Sequence, residues 1–257
     1  MSTPIAPADF IAGMAKGMAV LESFDTQRQR LNASLAAQRA GLTRAAARRH
    51  LLTLAHLGYL ETDGSYFWLS SRVLRFSGSY LASAQLPRVL LPALNRLAAR
   101  SQDAYSAVVL DEDEVVIVAR SDALQGSTRG LAYGLHLGAR LPAHATSTGR
   151  VLLAAKTPKE WAHWLKGRTL ERLTARTVTD PLALTRCIAL ARSDDFCIAH
   201  DEHELGVSAL AIPLRNAQGK TVAALNLVVT GLGQPEALLR ERLPLLQQAA
   251  IDLRPML

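Results

Sequence analysis

The chain has 257 residues, 49% of them hydrophobic, and only two cysteines. That suffices for two modest packed domains and excludes a disulfide framework; no apolar run approaches the roughly 20 residues of a membrane span. A formal net charge of +7 favours a polyanionic partner. The N-terminus lacks a signal-peptide block, so the expected compartment is the cytoplasm.

Residues 1–8 carry two prolines and little periodicity and read as a flexible lead. Over 10–24, Ile11, Met14, Met18, Leu21 and Phe24 recur at helical spacing and predict a first helix with that stripe inward. Residues 31–57 predict two helices broken at Gly41-Leu42-Thr43, with Leu35, Ala36, Ala40 and Leu42 lining the first and Ala47, Leu51, Leu54 and Leu57 the second. Thr43 can cap that second helix. From Arg28 to Leu60 there is no carboxylate, while Arg28, Arg30, Arg39, Arg44, Arg48 and Arg49 are cationic. Thr43, Arg44, Ala45, Arg48 and Arg49 fall opposite the leucine ladder and form a candidate major-groove face. Arginine can fork onto guanine edges or grip phosphates, and both remain open.

Residues 58–69, GYLETDGSYFWL, predict two short strands around an Asp-Gly turn, the wing of a winged helix. AGMAKGMAVLESFD followed by AGLTRAAARRHLLTLAHLGYLETDGSYFWLS resembles the DNA-binding half of the IclR family of bacterial regulators. The opening stretch and RAAARRHLLTL are similar to its branch that controls catabolism of aromatic acids. The domains expected are a winged helix-turn-helix over 1–70, a linker helix over 71–86 and an effector domain over 87–257. Ser71 is the expected cap of the linker helix, which runs to about Gln85. Its Val73, Leu74, Phe76, Tyr80 and Leu81 exceed the needs of a spacer, and Pro87 marks the boundary. The resemblance gives this helix and the winged domains part of a dimer contact.

The second half mixes helices (88–100, 143–155, 182–192, 238–253, and one starting at the Thr157-Pro158-Lys159-Glu160 capping box) with strands (104–110, 115–119, 196–200, 207–214, 221–229). Asp111-Glu112-Asp113-Glu114 reads as a solvated turn, and Cys187 and Cys197 as reduced core thiols on a helix and a strand. The fold class expected is α+β, with an antiparallel sheet flanked by helices, GAF/profilin-like by the resemblance.

GARLPAHATSTGRVLLA (138–154) and ELGVSALAIPLRNAQGKTVAALNL (204–227) match the family's effector-domain signatures. Thr146-Ser147-Thr148-Gly149 at a helix start offers hydroxyls and free backbone N–H groups, which suits a carboxylate. The resemblance implies a pocket of Leu141, Ser147, Thr148, Val207, Ala209, Asn226 and Val228, in which Ser147, Thr148 and Asn226 take polar groups. Arg129 and Tyr133 join them as a cation and a phenol able to reach a carboxylate and a ring, with surface arginine and core tyrosine the equal alternatives. The sequence departs from the family at Asp195-Phe196, where a glycine is usual, and at His200-Asp201-Glu202-His203, which leaves a ligand role for Asp201 open. These four with His144 form a rival metal reading, although their spacing matches no zinc pattern. There is no GxSxG, HExxH or Walker loop.

The partners implied are double-stranded operator DNA, a small carboxylate of the 4-hydroxybenzoate, protocatechuate or β-ketoadipate class, and a second copy of the chain, with a dimer of dimers also fitting the family. No cofactor, metal or membrane is implied. The rival functions are an enzyme acting on an aromatic acid and a constitutive DNA-binding protein.

Overall fold

A computed structural model describes residues 5–25, 28–121, 136–230 and 235–257. The chain divides into two compact units, Met1–Ser83 and Ala84–Leu257. In the first, α1 (Ala12–Glu22), α2 (Ala33–Ala40) and α3 (Arg44–His56) precede a hairpin of β1 (Leu60–Thr62) and β2 (Phe67–Leu69). Asn32 starts α2 by accepting from the amides of Ser34 and Leu35. Gly41 ends it at φ 64°, a left-handed conformation that glycine adopts without a Cβ clash. The core joins Val20, Phe24, Leu31, Ala36, Ala47, Leu51, Leu54, Leu60 and Phe67.

Only the end of the expected stripe, Leu21 and Phe24, points inward. Ile11, Met14 and Met18 are 66%, 67% and 49% exposed, and the helix is anchored from its other end by Val20 and Phe24. Leu57 likewise lies outside, 48% exposed, as the C-cap of α3. After the hairpin the cap is Ser70 rather than Ser71, because the Ser70 hydroxyl accepts from the Arg72 amide and opens a 3-10 turn over Ser71–Val73. α4 (Leu74–Ser83) then leaves Leu74, Phe76 and Tyr80 exposed.

The second unit begins with α5 (Gln85–Ser101), so Pro87 sits in the first turn of a helix, where its missing N–H costs no hydrogen bond. A six-stranded antiparallel sheet follows, built from β3 (Tyr105–Asp111), β4 (Glu114–Arg120), β5 (Arg140–Pro142), β6 (Cys197–His200), β7 (Val207–Arg215) and β8 (Thr221–Thr230), in the order β5-β4-β3-β8-β7-β6. α5 and α9 (Pro235–Leu253) cover one face through Leu90, Leu94, Leu246 and Leu253 against Leu210, Ile212, Leu214, Leu225 and Leu227. α6 (Ser147–Ala154), α7 (Pro158–Leu165) and α8 (Pro181–Asp194) lie on the other, with Trp161, Trp164, Leu184 and Ile188 among their buried residues. Alternation along the strands sends Val207, Ala209, Ala211, Asn226 and Val228 to the α6 side.

The helix expected over 143–155 starts four residues late. Ala143–Ala145 form a 3-10 turn and Thr146 is extended (φ −126°, ψ 146°), which makes Thr146 the cap of α6. Gly149 permits this tight approach, since a Cβ there would lie 2.0 Å from the Ala143 carbonyl oxygen. The acidic turn after β3 is tied to basic residues: Asp111 and Glu114 pair with Arg140, and Asp113 with Arg168. Asp195 ends α8 at φ 63° in the glycine-like conformation and accepts both arms of Arg215. Cys187 lies on α8 and Cys197 on β6, both unpaired thiols.

Candidate functional site

Two sites emerge, one in each unit. On α3 the Thr43 hydroxyl accepts from the Ala46 amide at 3.2 Å, and Arg44, Ala45, Arg48 and Arg49 are all exposed. The leucine ladder of Ala47, Leu51 and Leu54 fixes the opposite side in the core, so the arginines stand outward by helical geometry. Among the described residues none of these three guanidinium groups is ion-paired. Their neighbours differ: Arg30 pairs with Asp63 at 2.6 Å and Arg39 with Asp25. The cationic run seen in the sequence is therefore partly neutralised by carboxylates flanking it, and the outer side of α3 belongs to the part that is not.

The hairpin beside it is braced by side-chain contacts. Asp63 accepts from the amides of Ser65 and Tyr66, and those bonds hold its carboxyl below the usual range. Arg30 lies over the Trp68 ring, 4.4 Å from its centre, while reaching Asp63. Sequence reading left Arg30 among the free cations; its role in bracing the wing depends on the Leu31 bridge to Phe67, which brings it there.

In the second unit a cavity lies between the start of α6 and the sheet. Strands contribute Ser106, Val108, Ile117, Leu141, Ala199, Val207, Ala209, Asn226 and Val228; the α6 start contributes Ala145 to Thr148; the β6-β7 loop contributes Glu202 and His203. Leu141, Ser147, Thr148, Val207, Ala209, Asn226 and Val228 are thus brought together. Arg129 and Tyr133 lie outside the described residues. Ser106, Val108, Ile117, Ala145 and Ala199 were not singled out from the sequence, and Glu202 and His203 were read only as part of the rival metal set. Period-two alternation could have found Ser106 and Val108 once β3 was assigned, and the unusual histidine was the signal for His203.

The lining is mostly apolar with a few polar groups. Helix geometry leaves the Ser147 and Thr148 amides without intrahelical acceptors, at the positive end of α6. Among the described residues, Ser147 Oγ, Asn226 Oδ1 and His203 Nδ1 are buried without a hydrogen-bond partner. Burial lowers the His203 pKa against a smaller opposite effect of Glu204, so the ring is neutral at pH 7.

Glu202 brings no free negative charge into this space. Arg150, 3% exposed, donates to both carboxylate oxygens at 2.6 and 2.5 Å, and the Val178 amide donates at 3.2 Å. Burial alone would lower the Arg150 pKa, but the Glu202 hydrogen bonds and charge raise it above the ordinary arginine value. Burial pushes the nearby Cys197 thiol up to about 11, leaving it protonated. His200 and Asp201 serve the loop. Asp201 Oδ1 accepts from the Gly206 amide at 2.6 Å and its Oδ2 faces His200 Nε2 at 3.1 Å. His144 Nε2 meets the Glu171 carbonyl at 2.9 Å. Asp201 is not among the residues lining the cavity.

The chain matches the family model described as the IclR helix-turn-helix domain over residues 13–64, and that described as bacterial transcriptional regulator IclR C-terminal over residues 78–254. It is 51% identical to the p-hydroxybenzoate hydroxylase transcriptional activator of Acinetobacter baylyi, over 98% of this chain and 94% of that protein. It is 50% identical to the Pca operon regulatory protein of the same organism, over 97% of this chain and 90% of that protein. Among solved structures, an IclR homolog from Microbacterium hydrocarbonoxydans complexed with 4-hydroxybenzoate superimposes with a TM-score of 0.69 at 28% identity, covering 95% of this chain and 98% of that one.

Proposed function

The chain belongs to the IclR family of bacterial transcriptional regulators, and we propose that it controls an operon for aromatic-acid catabolism, binding operator DNA through α3 and a small aromatic carboxylate in the cavity. The observation that carries this reading is the coexistence in one chain of an unneutralised arginine face and a separate cavity whose buried polar atoms lack partners. Thr43 positions the helix, Ala45 allows close approach, and Arg44, Arg48 and Arg49 meet the duplex. In the cavity, the Ser147 hydroxyl and the Ser147 and Thr148 amides take the carboxylate. Leu141, Val207, Ala209 and Val228 cover the ring, and Asn226 takes a further polar group. A relative named for p-hydroxybenzoate hydroxylase control, and the 4-hydroxybenzoate complex of a homolog, support 4-hydroxybenzoate as the first acid to test, with protocatechuate and β-ketoadipate beside it.

The acting unit is at least a homodimer. One recognition helix covers too few base pairs for useful specificity, and two-fold symmetry reads two half-sites. The exposed apolar residues of α1 and α4 supply faces that a partner copy can cover. Effector and operator are linked reciprocally, so an acid that changes DNA affinity has its own affinity changed by the same factor.

The test is a gel-shift series on the operator region with and without 4-hydroxybenzoate across a range of salt. Salt-sensitive binding that shifts on adding the acid supports the reading; turnover of the acid favours an enzyme, and binding indifferent to it a constitutive DNA-binding protein.

A further inference from the structure

We propose that a hollow between α1 and α3 grips one phosphate of the DNA backbone, with Lys16 and Arg49 as its two charges. The proposal rests on α3 being the DNA-binding face, and adds to it a contact from α1 that sequence reading did not single out.

The two helices bring different rows of side chains to this hollow. On α1, Gly13, Lys16, Gly17 and Val20 follow i, i+3, i+4, i+7 spacing and so share one side. Val20 is 0% exposed, which turns that side toward the rest of the unit, while Met14 and Met18 stand on the other. On α3, Arg44 and Arg48 lie one turn apart in one row, whereas Arg49 falls in another with Ala46 and Thr53. Lys16, Arg49, His50 and Thr53 line the hollow together with Gly13 and Ala46. The His50 ring lies against α1, since a Cβ on Gly17 would stand 3.6 Å from its Nδ1. At Gly13 the hollow is open, because a Cβ there would meet nothing within 4 Å.

The charge balance calls for an anion. Among the described residues neither Lys16 nor Arg49 is ion-paired and no carboxylate lines the hollow, whereas Arg30 and Arg39 of the same unit each hold one. The Thr53 hydroxyl donates to the Arg49 carbonyl at 2.9 Å, which leaves the ammonium, the guanidinium and the His50 ring as the groups that face a ligand. Two like charges above a glycine and an alanine repel each other and bury no apolar surface. A phosphate diester answers both: the guanidinium forks onto its two free oxygens and the ammonium adds a point charge. Arg49 belongs to the helix that meets the duplex, so the phosphate within its reach is in the backbone of that duplex. Such a contact fixes the position of α3 and carries no sequence information.

Titration of the full-length protein against the operator-region duplex and against a duplex of shuffled sequence, each over a range of salt, tests this on the wild type, Lys16→Gln, Arg49→Gln and the double variant. Both side chains are exposed, so the variants keep the fold. Lys16→Gln is expected to weaken both duplexes by the same factor, about 3- to 10-fold at about 0.1 M salt, with the ratio between them kept. Lys16→Arg, which retains the charge, is expected to bind both as the wild type does. Because the two cations share one phosphate, the double variant should flatten the slope of log affinity against log salt by about 1 in all. Wild-type affinities in Lys16→Gln, a loss confined to the operator, or a double-variant slope flatter by about 2 overturn the shared phosphate site while leaving α3 as the DNA-binding face. Binding of neither duplex by the wild type overturns both.

Discussion

On α3 the guanidinium groups of Arg44, Arg48 and Arg49 stand in solvent, whereas at the start of α6 Arg150 is 3% exposed and forks onto Glu202. The two regions use one side chain for opposite ends. A buried guanidinium must be matched by an equally buried carboxylate, and the pair then holds neighbouring elements together: Arg150 also donates to the His144 carbonyl, and the Val178 amide donates to Glu202. An exposed guanidinium keeps its hydration and its charge, and can give both up to a phosphate or a guanine edge. Partner and burial, rather than residue type, separate a structural arginine from a recognition arginine.

That contrast can be broken most severely at the buried end. Arg150→Ala leaves Glu202 buried and unmatched, and is expected to destabilise the second unit by about 3 to 5 kcal/mol in urea unfolding. Arg48→Ala in the same assay should stay within about 0.5 kcal/mol of wild type. Similar losses from both would erase the distinction. In operator binding the ranking reverses for folded protein: Arg48→Ala should cost about 1 to 3 kcal/mol if the side chain reads a base. An unchanged gel-shift midpoint removes Arg48 from the interface.

Smaller effects sharpen the same line. Thr43→Ala removes the cap that starts α3 and should cost about 1 kcal/mol of stability, seen as a lower thermal midpoint, with Thr43→Ser restoring it. A pH profile probes the cavity wall. Because burial lowers the His203 pKa in the folded protein, the unfolded chain takes up the proton first as pH falls through about 6.5. The contribution of His203 is therefore fully present above that pH and is lost as pH drops toward the lower folded value. Unfolding midpoints measured from pH 7.5 to 5 should decline less in His203→Gln than in wild type.

The sequence made the first unit legible down to single residues where local chemistry decides. The Thr43 cap, the Gly41 turn, the buried Ala47, Leu51 and Leu54 and the outward Arg44, Ala45, Arg48 and Arg49 follow from i, i+3, i+4 spacing and from hydroxyl placement. It misled at Ile11, Met14 and Met18, since an apolar stripe says that something will be covered and not by what. In the second unit the seven cavity positions came from resemblance, and alternation along β7 and β8 explains why Val207, Ala209, Asn226 and Val228 share a face. Glu202 and His203 were read as part of a possible metal set rather than as cavity lining, because their place depends on a loop in which Asp201 stands at φ 59°, a tertiary feature that no periodicity encodes. The short β5 was not among the expected strands because Arg140–Pro142 has too few residues to show a pattern.

The most direct measurement is the salt dependence of operator affinity for wild type and for the Arg44→Ala, Arg48→Ala and Arg49→Ala variants. Wild type should give a steep linear fall of log affinity with log salt, and each variant whose arginine grips a phosphate should flatten the slope by about 1. Slopes and affinities identical to wild type in all three variants would contradict the assignment of α3 as the DNA-binding face.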